Sequence, residues 1–134
     1  AGCDIAILSA AVADYKPKNV ATQKIKKKEA TLEIILENTK DILASLGKLK
    51  EHQFLVGFAL ETNNELENAS AKLKRKNLDL IVLNSLQDKG AGFATDTNKI
   101  TIIDSALKVK PFDLKSKDAV AVDILNEIIV KLNL

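Results

Sequence analysis

At 134 residues, with 46% hydrophobic and 28% charged side chains, the chain has the size and composition of one globular domain that can bury a core without staples. Its net charge of +2 gives no argument for nucleic acid, and a single cysteine, Cys3, excludes an intrachain disulfide and a cysteine-based zinc cluster. No apolar run reaches the roughly 20 residues that cross a bilayer and no signal peptide leads the chain, so a reducing cytoplasmic setting is expected. Residues 4–10 read as a buried strand, because Ile5, Ala6, Ile7 and Leu8 are consecutive. Residues 11–30 lack periodicity and read as a long loop, which in a compact domain is more often functional than not. Residues 31–36 read as a second strand. Thr39 is placed to cap a helix over about 40–50, with Ile42, Leu43, Leu46 and Leu49 on one face and Gly47 as a weakness.

A third strand follows at 54–60, then a helix capped by Thr62 or Asn63 and running to about residue 77. Leu66, Ala69 and Leu73 form its narrow apolar stripe. Residues 78–83 read as a fourth buried strand, and 99–103 with 109–114 as an antiparallel hairpin. A last helix over 117–132 carries Val120, Ile124, Ile128 and Leu132 at helical spacing. The order predicts an α/β domain: a Rossmann-like, mostly parallel sheet with helices on both faces and an antiparallel edge hairpin. With Phe54, Phe58, Phe93, Phe112 and Tyr15 as its only aromatics, the core must be aliphatic. The chain opens on Ala1 and runs almost at once into a strand, as expected of a piece of a longer protein.

Three features bear on chemistry. The first strand ends in Ser9-Ala10-Ala11-Val12-Ala13-Asp14, where small residues let a base or phosphate approach the backbone and Asp14 suits a Mg²⁺ bridging phosphate oxygens. The same residues also fit a tight strand–loop packing with a surface carboxylate. The run Lys24-Ile25-Lys26-Lys27-Lys28 reads either as a phosphate clamp or as a solvated face. Lys72 and Lys76 lie about 40° apart on one helical flank, where two ammonium groups repel unless an anion joins them. Two snorkelling surface lysines are the plainer alternative. Phe58 reads as core, His52 as a helix-end or solvent residue, Asn84 as a turn residue, and Gly90-Ala91-Gly92 as a loop or flap. No GxGxxG, Walker-type or HExxH pattern occurs.

In order and spacing, however, Ser9-Ala10-Ala11-Val12-Ala13-Asp14-Tyr15-Lys16-Pro17, Lys24-Ile25-Lys26-Lys27, the segment from Asn38 to Ala44, and Val56-Gly57-Phe58-Ala59-Leu60-Glu61-Thr62 resemble phosphopantothenoylcysteine synthetase. So do Ala71-Lys72-Leu73-Lys74-Arg75-Lys76-Asn77-Leu78-Asp79 and Gly92-Phe93-Ala94-Thr95-Asp96-Thr97-Asn98. The resemblance covers nearly the whole chain. That ligase of coenzyme A biosynthesis is often the C-terminal half of a bifunctional bacterial flavoprotein. The resemblance implies CTP-dependent joining of 4′-phosphopantothenate to cysteine through an acyl-cytidylate, with Mg²⁺, in a cytoplasmic homodimer. It implies FMN only where a decarboxylase is fused upstream.

Position by position, it gives Leu8, Ser9 and Ala10 to the base and Asp14 to the nucleotide and its metal. Lys24 falls to the nucleotide and, as the catalytic lysine, to the activated intermediate. Asp41, Ile42 and Leu43 fall to the nucleotide at a helix N-terminus, and Phe58, Lys72 and Lys76 to the rest of that site. Two departures stand out. The family's Asn-Pro-Asp is here Asn38-Thr39-Lys40-Asp41, and its second Ala after Gly-Phe-Ala is Leu60. The family's glycine-rich N-terminal segment, which binds phosphopantothenate, would precede Ala1, so these residues are expected to supply the nucleotide side and to be inactive alone. The alternative is a non-catalytic nucleotide-binding or interaction domain of the same fold. A nucleic-acid binder is a third reading, weakened because no aromatic platform interrupts the lysines.

Overall fold

Period-two alternation along the central strands gives each face of the sheet its own aliphatic core. The computed structural model describes residues 2–26, 31–85 and 95–134. Strand β1 (Ile5–Leu8) pairs in parallel with β4 (Phe54–Glu61), and β4 with β5 (Leu80–Ser85). Strand β7 (Ile100–Asp104) then runs antiparallel to β5, and β8 (Val109–Pro111) antiparallel to β7. The five-stranded order is β1-β4-β5-β7-β8, so the sheet is mixed, with the expected hairpin at its edge.

Leu55 and Ala59 of β4, Ile81 and Leu83 of β5 and Ile103 of β7 share one cluster with Ala69 and Leu73. Those last two come from helix α2 (Glu65–Arg75), and Leu43 and Leu46 of helix α1 (Ile42–Leu49) pack against the same cluster. The intervening residues Val56, Leu80, Val82, Ile100 and Ile102 face the other way. They meet Val120, Ile124 and Ile128 of α3 (Lys117–Leu132). Burying each such side chain contributes roughly 1.5–3 kcal/mol before chain entropy is subtracted. Two crossovers of one hand put α1 and α2 on the same face.

Several local expectations are corrected. The long loop holds a short strand, β2 (Tyr15–Pro17), which pairs antiparallel with β3 (Leu36–Asn38). The second strand therefore lies at 36–38 and not over 31–36, and it joins this exposed two-stranded arm instead of the main sheet. Asp41, not Thr39, caps α1, because its carboxylate accepts the Ala44 N–H at 2.9 Å. Ile42 and Leu49 are exposed, as is Leu66 on α2, so the buried stripes are narrower than expected. The residue before α2 is Asn64, in the left-handed region at φ 45° and without a side-chain cap. A further small pairing joins β6 (Thr97–Asn98) to β9 (Lys115–Ser116) at the start of α3.

Two polar locks tie the elements at the end of the sheet where β4 and β5 begin. Lys50 Nζ lies 2.7 Å from both oxygens of Asp79, and Asp79 Oδ2 also accepts the Leu55 N–H at 2.7 Å. Asp104, only 4% exposed, accepts the Lys108 N–H at 2.8 Å and pairs with Lys131 of α3. These fix the end of the sheet opposite the carboxyl ends of β1 and β4, which are left to shape a cleft.

Candidate functional site

That cleft is a cavity of about 680 Å³, a size suited to a small-molecule ligand. It opens where β1 and β4 end, where α1 begins, and along one flank of α2. Leu8, Ser9, Ala10 and Asp14 line it from the end of β1 and the loop beyond. Asp41 at the N-cap of α1 and Ile42 and Leu43 in its first turn line it, with Phe58 from β4, Lys72 from α2 and Lys76 from the C-cap of α2. The sequence-derived candidates are thus brought together on one wall, with one exception. Lys24 is exposed and is not among the lining residues. Lys27, Lys28, Gly90-Ala91-Gly92 and Phe93 lie outside the described residues.

Sequence reasoning missed Thr39 and Lys40 as members of the wall, and with them Ile7, Val12 and Leu60. Thr39 has a specific part. Its hydroxyl donates to the Ala13 carbonyl at 2.5 Å and its N–H to the Asp14 carbonyl at 2.8 Å. The departure from Asn-Pro-Asp therefore places a double donor where the Asp14 loop meets the entry to α1. No periodicity signals such a bond, since its partners stand 26 residues apart.

The two lysines of α2 do not share an anion; each has its own. Lys72 Nζ lies 3.0 Å from Glu61 Oε1, with side-chain exposures of 26% and 17%. Lys76 Nζ lies 2.9 Å from Asp41 Oδ2, and here the carboxylate is 49% exposed. Burial alone would raise the pKa of Asp41. The Ala44 N–H and the Lys76 ammonium, with Arg75 nearby, outweigh it and hold the carboxyl below its ordinary value. Asp41 thus caps α1 with one oxygen and holds Lys76 with the other.

Among the described residues no group of three His, Cys, Asp or Glu side chains is placed to hold a metal by itself. A magnesium ion normally keeps waters and takes only one or two carboxylates beside substrate phosphates, which Asp14 in the cavity wall fits. His52 is exposed, with Nε2 3.6 Å from Asp4 Oδ1, away from the cavity wall. Asn84 Oδ1 accepts from Asn98 Nδ2 at 3.3 Å and so joins β5 to β6.

Fold and cavity together define an α/β domain with a charged cleft at the carboxyl ends of parallel strands, the usual place of a ligand in such folds. The family is also specific. Residues 1–132 match the model of the DNA/pantothenate metabolism flavoprotein C-terminal domain, and the chain belongs to that family. It is 46% identical over 125 residues to the coenzyme A biosynthesis bifunctional protein CoaBC of Bacillus subtilis, covering 93% of this chain and 31% of that protein. It is 57% identical over 128 residues to a cysteine/cysteine sulfinic acid decarboxylase of an unknown prokaryotic organism, covering 95% of this chain and 36% of that protein.

Among solved structures, the C-terminal domain of a CoaBC superposes with a TM-score of 0.74 at 41% identity, covering 97% of this chain and 57% of that one. A Cab2 H337A mutant in complex with phosphopantothenate-cysteine superposes at 0.58 and 21% identity, covering 81% of this chain and 38% of that one, a likeness of fold alone. The chain spans about a third of the length of the curated relatives it matches. Among the described residues no helix is long and apolar enough to cross a membrane.

Proposed function

We propose that this chain supplies the nucleotide side of a CTP-dependent phosphopantothenate–cysteine ligase. The carrying observation is that Leu8, Ser9, Ala10, Asp14, Asp41, Ile42, Leu43, Phe58, Lys72 and Lys76, chosen by motif and scattered over the sequence, all line one cavity. In the reaction a 4′-phosphopantothenate carboxylate attacks the α-phosphorus of CTP and pyrophosphate leaves. The cysteine amine then attacks the acyl carbon, an amide forms, a proton is lost and CMP departs. A carboxylate is a poor electrophile and pyrophosphate departs with growing negative charge, so cations must face the phosphates.

Lys72 and Lys76 supply that charge, and the N-terminus of α1 at Asp41, Ile42 and Leu43 adds the positive end of a helix dipole. Each lysine is held by a carboxylate without ligand, so its ammonium is positioned before the phosphate arrives. The small residues at Ser9 and Ala10 leave room for the base against the end of β1, with Phe58 of the neighbouring strand β4 also lining the cavity. Asp14 would hold Mg²⁺, which supplies charge neutralisation at the phosphates. Lys24 meets the acyl-cytidylate from the loop beyond β2, outside the wall that holds the nucleotide. The ligase works as a homodimer in the cytoplasm.

Titration of the full-length protein with CTP, followed by mass spectrometry of products with 4′-phosphopantothenate and cysteine present, tests this reading. Wild type binds CTP and forms the amide, whereas Lys24→Gln binds CTP without forming it. A wild-type protein that does not bind CTP overturns the reading. Binding without any turnover leaves the non-catalytic nucleotide-binding domain in its place.

A further inference from the structure

Gly47 is buried in the interior of α1, where glycine is among the poorest helix formers and alanine the best. The packing gives a reason. A Cβ at this position would lie 1.9 Å from the Lys76 carbonyl oxygen and 2.8 Å from its carbon, both backbone atoms that cannot rotate away. Asn77 closes the same seam, donating from Nδ2 to the Gly47 carbonyl at 2.9 Å. Helix α1 therefore rests directly on the C-cap of α2.

Lys76 touches α1 twice. Its backbone meets Gly47, while its ammonium reaches Asp41 at the other end of the helix, 2.9 Å away. Six residues of helix separate the two contacts, roughly 9 Å. A rigid helix held at one end fixes the other. We propose that Gly47 is a positioning residue for the cavity: by letting α1 seat on the Lys76 backbone, it sets the Asp41–Lys76 pair and with it the ammonium that faces the ligand. This rests on the nucleotide reading for the ligand, but not for the pair.

A side chain at Gly47 must move α1 by more than 1 Å to restore an ordinary contact. A misplacement of about 1 Å at a site can cost on the order of a hundredfold in function. The test compares Gly47→Ala with wild type in the full-length protein by two readouts. The first is the titration of the Asp41 carboxyl, followed by selective ¹³C labelling without nucleotide. The second is the CTP dissociation constant. Gly47→Ala is expected to raise the Asp41 pKa toward its ordinary value and to weaken CTP about tenfold or more.

Asn77→Gly keeps the left-handed backbone at Asn77 (φ 54°) and removes the seam's side-chain bond. It should move both readouts the same way by less, and it serves if Gly47→Ala does not fold. Asp104→Asn, at the opposite end of the sheet, is the control for general destabilisation. An unmoved Asp41 titration overturns the proposal, as does a CTP loss no larger than that of Asp104→Asn. If wild type binds no CTP, the nucleotide reading falls and the Asp41 titration alone decides the role of Gly47.

Discussion

At the scale of single residues, the two lysines of the cavity differ in what their removal leaves behind. Glu61 beneath Lys72 is 17% exposed, whereas Asp41 beside Lys76 is 49% exposed and can turn to water. Lys72→Met therefore strands a carboxylate with little access to solvent and should cost about 1–3 kcal/mol of stability besides its effect on ligand. Lys76→Met should cost little stability. Both should weaken CTP by roughly tenfold or more, the loss expected for one charge-assisted bond of about 1.5–3 kcal/mol. Thermal melts and CTP titrations of the two variants separate the effects. Equal melting temperatures would remove the distinction.

The same geometry gives Asp41 a signed pH dependence. Its folded pKa lies below the unfolded value, so its charge stabilises the fold above the ordinary carboxylate pKa of about 3.9, and that contribution is lost as pH falls through the folded value. Asp41→Asn keeps a capping oxygen and loses the charge. Wild type should have the higher urea midpoint at pH 7, by a margin kept small by exposure, and the two midpoints should converge on acidification below the usual carboxylate range. A gap that persists unchanged in acid would show that the charge is not its source.

At the scale of elements, what was legible in the sequence was whatever periodicity and composition report. The apolar run of β5, most of that of β4 and the stripe Val120, Ile124 and Ile128 on α3 are buried as their spacing predicts, whereas Leu60 of β4 is exposed, as are Ile5 and Ile7 of β1, the strand read as buried. The arm of β2 and β3 was not legible. Tyr15-Lys16-Pro17 carries no alternation, and all three residues are exposed. Its pairing with residues 36–38 is set by long-range register that a local pattern does not carry. Within the site, motif order found most of the wall, because charge and small size are residue properties. It missed the Thr39 clip and the separate anions of Lys72 and Lys76, because these depend on where chain segments meet.

Asp104 is another such meeting, between the β7–β8 turn and α3. Burial alone would raise its pKa, but Lys131 and the backbone N–H groups of Lys108 and Ala106 outweigh it and hold the carboxyl low. Asp104→Asn should destabilise by about 1–3 kcal/mol at pH 7, and the deficit should shrink as pH falls through the folded carboxyl's low pKa. Urea unfolding at both pH values checks this. CTP affinity should hold, since Asp104 pairs with Leu80 at the start of β5, away from the cavity.

At the scale of the whole molecule, the proposed function makes the cavity the nucleotide side of a reaction that also takes 4′-phosphopantothenate and cysteine. The chain spans 57% of the solved CoaBC C-terminal domain it resembles. These 134 residues expressed alone should therefore form no amide, whereas the full-length protein should form it. Mass spectrometry of the product compares the two, and robust turnover by the short chain would sink the division of the site. The arm makes a second demand on the assembly. A two-stranded pair by itself is marginal in water, yet β2 and β3 form a sheet of their own with Tyr15 and Leu36 exposed and Ile34 and Ile35 exposed beside them. Apolar groups gathered on one exposed element favour association, and in the homodimer proposed above a second copy would cover an identical arm by symmetry. Thr39 bonds the base of that arm to the loop of Asp14, so an arm held by its partner would steady one wall of the cavity. Ile35→Glu places a charge on the arm without touching the residues that line the cavity. In sedimentation velocity the full-length wild type should run as a dimer and Ile35→Glu as a monomer. The monomer should bind CTP more weakly, because its Asp14 loop is tied to an arm no longer held. A variant that remains dimeric would assign the contact to another surface, and a monomer with undiminished CTP affinity would uncouple the arm from the site.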